Sequence, residues 1–175
     1  MRRHAGFTLV ELIIVMAILA ILTAWTIPNV QAWKTGYQLR AATMQLHQVI
    51  QQARLYAVKQ HSKVIVNLDP DNDRKLAGDF LVFVDNGEDQ QTFWTREPDE
   101  QLLHRGRLKS PIRFLKVSFA GGVPRLRFNP LGLPNGFGGH IYLTNGAGRF
   151  RGIHVNINGR ARMVTSRTGA HGTWN

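Results

Sequence analysis

The chain has 175 residues, no cysteine and a formal charge of +11, which leaves room for one soluble domain of modest core beside any membrane segment. The missing cysteines exclude a disulfide framework and a thiol nucleophile. The charge is lopsided: residues 1–100 hold ten Lys/Arg and all eleven acids, whereas residues 101–175 hold twelve Lys/Arg, ten of them Arg, and no acid.

The chain opens Met1-Arg2-Arg3-His4-Ala5-Gly6 and then runs from Phe7 to Ile27 with one charged side chain, Glu11. As a helix that run is about 31 Å long, enough to cross a bilayer. A secretory signal peptide places its small-residue cleavage site after the apolar run, but here Gly6 precedes it, so cleavage leaves the helix on the mature protein. Arg2 and Arg3 hold the leader in the cytoplasm and put everything after Ile27 beyond the inner membrane. An intramembrane carboxylate at Glu11 costs several kcal/mol unless paired or protonated. Its nearest candidate partner is the α-amino group that cleavage after Gly6 creates on Phe7, of the same chain or a neighbour; the alternative is an acid snorkelling to the interface.

From Trp33 to His61 the residues Leu39, Ala42, Leu46, Val49, Ile50, Ala53 and Ala57 recur at three and four, the spacing of an amphipathic helix with a buried stripe. Arg40, Gln48, Gln52 and Lys59 form its solvated side, and Gly36 is a place for a local interruption. Beyond Ser62 the period becomes two, predicting strands at 64–68, 80–84, 112–119, 125–128, 140–144, 149–157 and 160–166. Turn residues that tolerate positive φ separate them at Asp85-Asn86-Gly87, Gly121-Gly122, Asn145-Gly146 and Asn158-Gly159. Residues 86–106 are polar and acidic and read as a long mobile loop with one short strand at 91–95. Ten of the eleven acids fall between Asp69 and Glu100, so an anion is expected to avoid that edge.

Gly6, Phe7, Thr8, Leu9 and Glu11, with the apolar run and Pro28, resemble the class III signal of type IV prepilins and type II secretion pseudopilins. The resemblance implies that a prepilin peptidase cuts after Gly6 and methylates Phe7. It also implies that Glu11 pairs with a neighbour's amino terminus during assembly and that Pro28 kinks the helix. The later layout is similar to the GspH/FimT family of minor pseudopilins: Ala53-Arg54, Ala57-Val58-Lys59, strand 64–68, Phe128-Asn129-Pro130 with Gly132, and Gly159-Arg160-Ala161-Arg162. The fold so implied is α+β and pilin-like, a long N-terminal helix on an antiparallel β-sheet head. Its parts are a leader 1–6, a transmembrane helix 7–28, a stem 29–61, a head 62–166 and a flexible basic tail 167–175. The implied setting is the inner membrane, single-pass with a periplasmic head, and afterwards a filament with other pilins as partners.

Two arginines two apart on a strand project from one face about 7 Å from each other, within reach of one nucleic-acid backbone. A two-residue hairpin at Asn158-Gly159 sets Arg160 opposite Ile157 and Arg162 opposite Val155, on the apolar face. A three-residue loop or bulge instead pairs Ile157 with Ala161 and Val155 with Met163, leaving Arg162 outside and Arg160 in the loop. The second register is preferred because burying two unpaired guanidinium groups costs more than a bulge. In the FimT branch the Gly-Arg-x-Arg pattern goes with DNA binding in natural transformation, and the match implies that role for Arg160 and Arg162. Arg149, Arg151 and Arg167 join them as candidates, with Trp174 on the tail as a ring to stack on a base. The opposing readings are a merely soluble basic face and a disordered tail.

Other chemistry has no motif. Asp69, Asp71 and Asp73 imitate a calcium loop, but Arg74 stands where glycine is required and Phe80 where the final Glu is required. There is no HExxH, GxSxG or GxGxxG before a helix, so no metal, cofactor, small-molecule substrate or catalytic residue is expected. Two functions remain: a DNA-binding minor pilin, or a structural H-type minor pseudopilin of a type II secretion system with protein neighbours only.

Overall fold

The computed structural model describes residues 8–69, 78–87, 95–136, 138–170 and 173–174, with backbone alone for 24–32. One helix, α1 (Leu9–Gln60), precedes eight strands. Residues 1–34 and 35–175 form two compact units, and all the strands lie in the second.

In the second unit the stem stripe is where the periodicity predicts. Leu39, Leu46, Val49, Ile50, Ala53 and Ala57 are buried, Ala42 is partly so, and Arg40, Gln48, Gln52 and Lys59 are exposed. Thr43 is also buried, its hydroxyl donating to the Leu39 carbonyl at 2.8 Å, which removes the penalty of an unpaired polar group. Gly36 does not interrupt α1. A Cβ at that position would meet the Arg149 side chain at 3.1–3.3 Å, so the glycine makes room for a guanidinium laid against the helix. The expected kink at Pro28 falls among residues whose side chains lie outside the described ones.

Two four-stranded antiparallel sheets complete the head. The first is ordered β3-β2-β1-β5, from β1 (Lys63–Asn67), β2 (Asp79–Asp85), β3 (Leu102–Arg107) and β5 (Arg125–Phe128). The second is ordered β4-β6-β7-β8, from β4 (Arg113–Ser118), β6 (Gly139–Thr144), β7 (Phe150–Val155) and β8 (Ala161–Ser166). Val64, Val66 and Phe128 of the first sheet and Ile141, Leu143, Ile153 and Val155 of the second close on the stem stripe as one core. At about 25 cal/mol per Å² of apolar surface, this shared burial is the main force holding stem and sheets together.

Strand β3 corrects the expectation of a loop over 86–106 whose one short strand lies at 91–95, since all of its residues but the last fall in the part read as loop. Its sequence, Leu-Leu-His-Arg-Gly-Arg, lacks the β-branched alternation that marks a strand; its place is fixed by its partner. Gly106 faces Phe80 in register, and a side chain there would collide with the Phe80 ring. Arg107 forks onto Asp79 at the strand end, with Nη2 to Oδ2 at 2.9 Å. The short strand expected near 91–95 and the acids at 71 and 73 fall outside the described residues.

The β7–β8 hairpin also differs from expectation. Val155 pairs with Ala161 and His154 with Arg162, so the three-residue loop is Ile157-Asn158-Gly159 instead of Asn158-Gly159-Arg160. Asn156 causes the shift. Its Oδ1 accepts the backbone N–H groups of Asn158 at 3.1 Å and Arg160 at 2.9 Å, and Gly159, at φ +73°, returns its N–H to the Asn156 carbonyl at 2.9 Å. An asparagine side chain that caps its own turn releases Ile157 from the strand, and Ile157 is 58% exposed. The same construction recurs at Asn129-Pro130-Leu131-Gly132-Leu133, where Oδ1 of Asn129 takes the N–H groups of Leu131 and Leu133. Because both the expected and the observed pairings keep the same parity, Arg162 still points away from the stem.

Candidate functional site

The charge asymmetry of the sequence maps onto one sheet. All four strands of the second sheet lie in the acid-free part of the chain, whereas β2 of the first sheet carries Asp79 and Asp85. Both have cationic neighbours, Asp79 paired with Arg107 and Asp85 at 4.0 Å from Arg127. Arginines on the second sheet have no such neutralisation from their own strands.

The five candidate arginines fall into two groups toward opposite ends of the β7–β8 ribbon; their nearest members, Arg162 opposite His154 and Arg151 opposite Thr165, are about 10 Å apart along the strands at 3.3 Å per residue. Arg160 and Arg162 are both exposed and line a cleft of about 600 Å³ with Gly139, His140, His154, Val155 and Asn156. Arg149, Arg151 and Arg167 line a separate cleft of about 400 Å³ with Gly36, Leu39 and Thr165. Arg151 has the same parity as Ile153 and faces α1. Burial, then the charges of Arg40 and Arg149, hold its pKa below the usual arginine value. Thus the structure brings Arg160 and Arg162 together, and does not bring the other three to them.

Contacts from the stem and the first sheet hold the hairpin end in place. His47 Nε2 lies 3.1 Å from the Ala161 carbonyl oxygen, and Arg54 Nε donates to the Gly132 carbonyl at 3.0 Å. Gly159 packs onto that same carbonyl, with Arg54 Nε 2.9 Å from where its Cβ would stand. Two capped asparagine turns therefore rest on each other and on one stem arginine.

A set of rings beside Arg162 escaped the sequence reading. On the outward face of β6 and β7, His140 stacks on Tyr142 with centroids 4.5 Å apart and planes within 19°. Tyr142 in turn stacks on Trp174 at 3.8 Å and 3°. The Tyr142 hydroxyl lies 2.9 Å from His154 Nε2, and burial followed by the Arg162 charge lowers the His154 pKa from 6.5. In the tail expected as a flexible arm, the described residues fold back: Thr173 Oγ1 lies 2.6 Å from Ser166 Oγ and bonds the Ala170 carbonyl. Trp174 is half-buried on Tyr142 and not extended for a ligand. The one signal of the ring set in the sequence is the period-two pair His140 and Tyr142 on a strand; nothing local ties that pair to a tryptophan 32 residues beyond Tyr142.

In the first unit Gly6 and Phe7, the expected cleavage and methylation sites, lie outside the described residues. Thr8 caps α1, its Oγ1 accepting the Glu11 N–H at 3.3 Å. That places Glu11 in the first turn, where a carboxylate is favoured by the helix dipole. Leu9, Val10, Leu12, Ile13, Ile14, Val15, Met16, Ile18, Leu19, Ile21 and Leu22 are all exposed, an apolar sleeve that a lone water-soluble helix does not carry. Among the described residues no helix is long and apolar enough to cross a membrane; the expected span, 7–28, lies partly outside them. Among the described residues no cluster of His, Cys, Asp and Glu is gathered for a metal ion.

The family described as the prokaryotic N-terminal methylation motif matches residues 1–27, and the one described as type II transport protein GspH matches residues 42–169. Among solved structures, the chain is similar to the minor pseudopilin EpsH from the type 2 secretion system of Vibrio cholerae. The identity is 11%, covering 73% of this chain and 97% of that one, with a TM-score of 0.54. It is also similar to the type IV minor pilin FimU of Pseudomonas aeruginosa, with 15% identity, 77% and 96% coverage and a TM-score of 0.57. A second crystal form of FimU gives 14%, 75%, 100% and 0.55. At these identities the likeness establishes the fold, which is the α+β pilin-like arrangement expected from the sequence. No curated protein matches the chain. With a match over most of its length and a leader motif before it, the chain belongs to the type II transport protein GspH family, as a minor pilin or pseudopilin of the GspH/FimT type.

Proposed function

We propose that this chain is a minor subunit of a type IV pilus-like filament that binds DNA without sequence preference, in the setting of DNA uptake. The observation that carries the DNA part is the exposed pair Arg160 and Arg162 at the rim of one cleft, on a sheet without acids. Guanidinium forks neutralise backbone phosphates and release counterions without reading base edges. Arg149, Arg151 and Arg167 add to the positive field from the other end of the ribbon.

The filament part draws on the family and on the exposed apolar sleeve of α1, which needs lipid before assembly and neighbouring helices after it. A prepilin peptidase cuts after Gly6 and methylates Phe7. The retained helix holds the head on the periplasmic side of the inner membrane, and Glu11 pairs with the new amino terminus of a neighbour. Such a subunit acts by recognition and assembly, not as an enzyme, and needs no cofactor.

The second reading, an H-type minor pseudopilin of a type II secretion system with protein neighbours only, is favoured by the GspH family match. Titrating duplex DNA with the full chain in nonionic detergent separates the two. The DNA reading expects binding at low salt that weakens steeply as salt rises, and a loss of roughly tenfold or more in Arg160→Gln/Arg162→Gln. Undiminished binding by that variant removes these residues from the role, and absence of binding at low salt leaves the pseudopilin reading.

A further inference from the structure

The other basic cleft, where the β7–β8 ribbon meets the stem, gathers cations that the chain itself does not neutralise. Arg149, Arg151 and Arg167 line it. The Arg149 side chain lies against Gly36 of α1, and the charge of Arg40, one turn further along α1, acts on Arg151. Among the described residues none of these four arginines makes an ion pair. The lining is not all charged: Leu39 and Phe150 give the cleft an apolar side.

A capped turn fixes this end of the ribbon. Oδ1 of Asn145 accepts the N–H groups of Ala147 at 3.0 Å and Arg149 at 3.2 Å, the construction already seen at Asn129 and Asn156. Nδ2 of Asn145 donates to Thr35 Oγ1 at 3.3 Å. Arg149 thus holds the place in its turn that Arg160 holds in the hairpin, but in a turn tied to the stem. A Cβ on Gly146 or Gly148 would meet nothing within 4 Å, so a broad surface can approach the turn.

This end is also the one nearer the apolar run. His47 and Arg54 meet the hairpin end, whereas Gly36 meets this one. Nine residues lead from Ile27, where the apolar run stops, to Gly36, about 13 Å at the rise of a helix. Headgroups extend about 5–7 Å beyond the hydrocarbon, and long arginine side chains close the remainder. Tyr37, beside Gly36 and 64% exposed, is the kind of ring that settles at that level.

We infer that this cleft docks on the headgroup of an anionic glycerophospholipid, its phosphate among Arg149, Arg151 and Arg167 and its glycerol against Leu39 and Phe150. The contact holds the head on the membrane until the subunit enters a filament. The inference rests on the membrane setting proposed above and not on the DNA reading. A phosphate relieves the mutual repulsion of the arginines, and each cation beside a membrane span adds to the attraction for anionic lipid. Duplex DNA offers the same phosphate without an apolar neighbour, which favours lipid.

Because the chain has no cysteine, a single introduced one can report the contact. The full chain carrying Ala147→Cys, an exposed position of the Arg149 turn, is labelled with the polarity-sensitive fluorophore NBD and placed in nanodiscs of phosphatidylcholine alone or mixed with phosphatidylglycerol. Asn158→Cys, exposed at the hairpin end, is the control. Phosphatidylglycerol brightens the label at 147 and shifts it to the blue, added salt reverses the change, and the label at 158 does not respond. Arg149→Gln/Arg151→Gln/Arg167→Gln loses most of the response, whereas Arg149→Lys/Arg151→Lys/Arg167→Lys keeps most of it, which separates lost attraction from a misfolded head. No response to phosphatidylglycerol, equal responses at the two labels, an undiminished response in the glutamine variant or its loss in the lysine variant overturns the docking. A response at 147 to duplex DNA and not to phosphatidylglycerol gives the cleft to DNA instead. A chain that enters the discs without these changes loses only the docking; a chain that does not enter them loses the membrane setting as well.

Discussion

The β7–β8 ribbon is basic at both ends, yet the ends are different chemical settings. At the hairpin end Arg160 and Arg162 stand in solvent beside two histidines and a stack of rings. At the other end Arg149 lies against Gly36 of the stem, and Arg151 is crowded by burial and by Arg40 and Arg149. The first arrangement holds charge ready for a ligand; the second holds charge that repels itself. A count of arginines cannot distinguish them, because strand register and the helix decide which ones act together.

The largest break in this comparison is expected from the glycines that shape the two ends. Gly159 and Gly148 have nearly the same left-handed backbone, φ +73° and +76°. A side chain on Gly159 collides with the Gly132 carbonyl, whereas nothing lies within 4 Å at Gly148. Gly159→Val should cost about 3 kcal/mol or more, since backbone strain and a clash with main chain add. Gly148→Ala should cost only the strain, about 1 kcal/mol. Urea unfolding followed by circular dichroism measures both.

A smaller effect sharpens the contrast in electrostatics. Arg151→Met keeps the packing of the stem-facing side chain and removes a charge that repels Arg40 and Arg149. It should stabilise the head by a few tenths of a kcal/mol, and the gain should shrink as salt is added. Arg162→Met, in open solvent, should show no such gain. Equal responses would mean that the two ends are not electrostatically different.

The smallest effect is a pH dependence at the hairpin end, where Arg160, Arg162, His140 and Tyr142 surround His154. Its pKa is lowered from 6.5, by burial first and Arg162 second, so the unfolded chain takes up that proton before the folded one does. Stability is then fully present above pH 6.5 and declines as pH falls through 6.5 towards the lower folded value. His154→Gln should flatten that decline in thermal unfolding scans between neutral and mildly acidic pH.

Much of the fold was legible because it rests on periodicity. The stem stripe follows from apolar residues at three and four, and seven of the strands from alternation between turn residues. Strand β3 was hidden because its stability comes from partners, Phe80 over Gly106 and Asp79 on Arg107, and not from its own residue types. The hairpin register was hidden for a related reason: the Asn156 side chain, not the Asn158-Gly159 pair, closes the turn. Of the candidate site, the arginine pair was visible as a motif. The rings were not, since stacking between Tyr142 and Trp174 joins positions that no local pattern connects.

The division of labour between the two ends is tested most directly by the salt dependence of duplex binding in two double variants of the full chain. Arg160→Gln/Arg162→Gln should lower the slope of log affinity against log salt by about 2, one for each phosphate no longer neutralised. Arg149→Gln/Arg151→Gln should leave the slope near that of the unaltered chain. A slope that falls in the second variant and holds in the first would place phosphate binding at the wrong end of the ribbon and contradict the account.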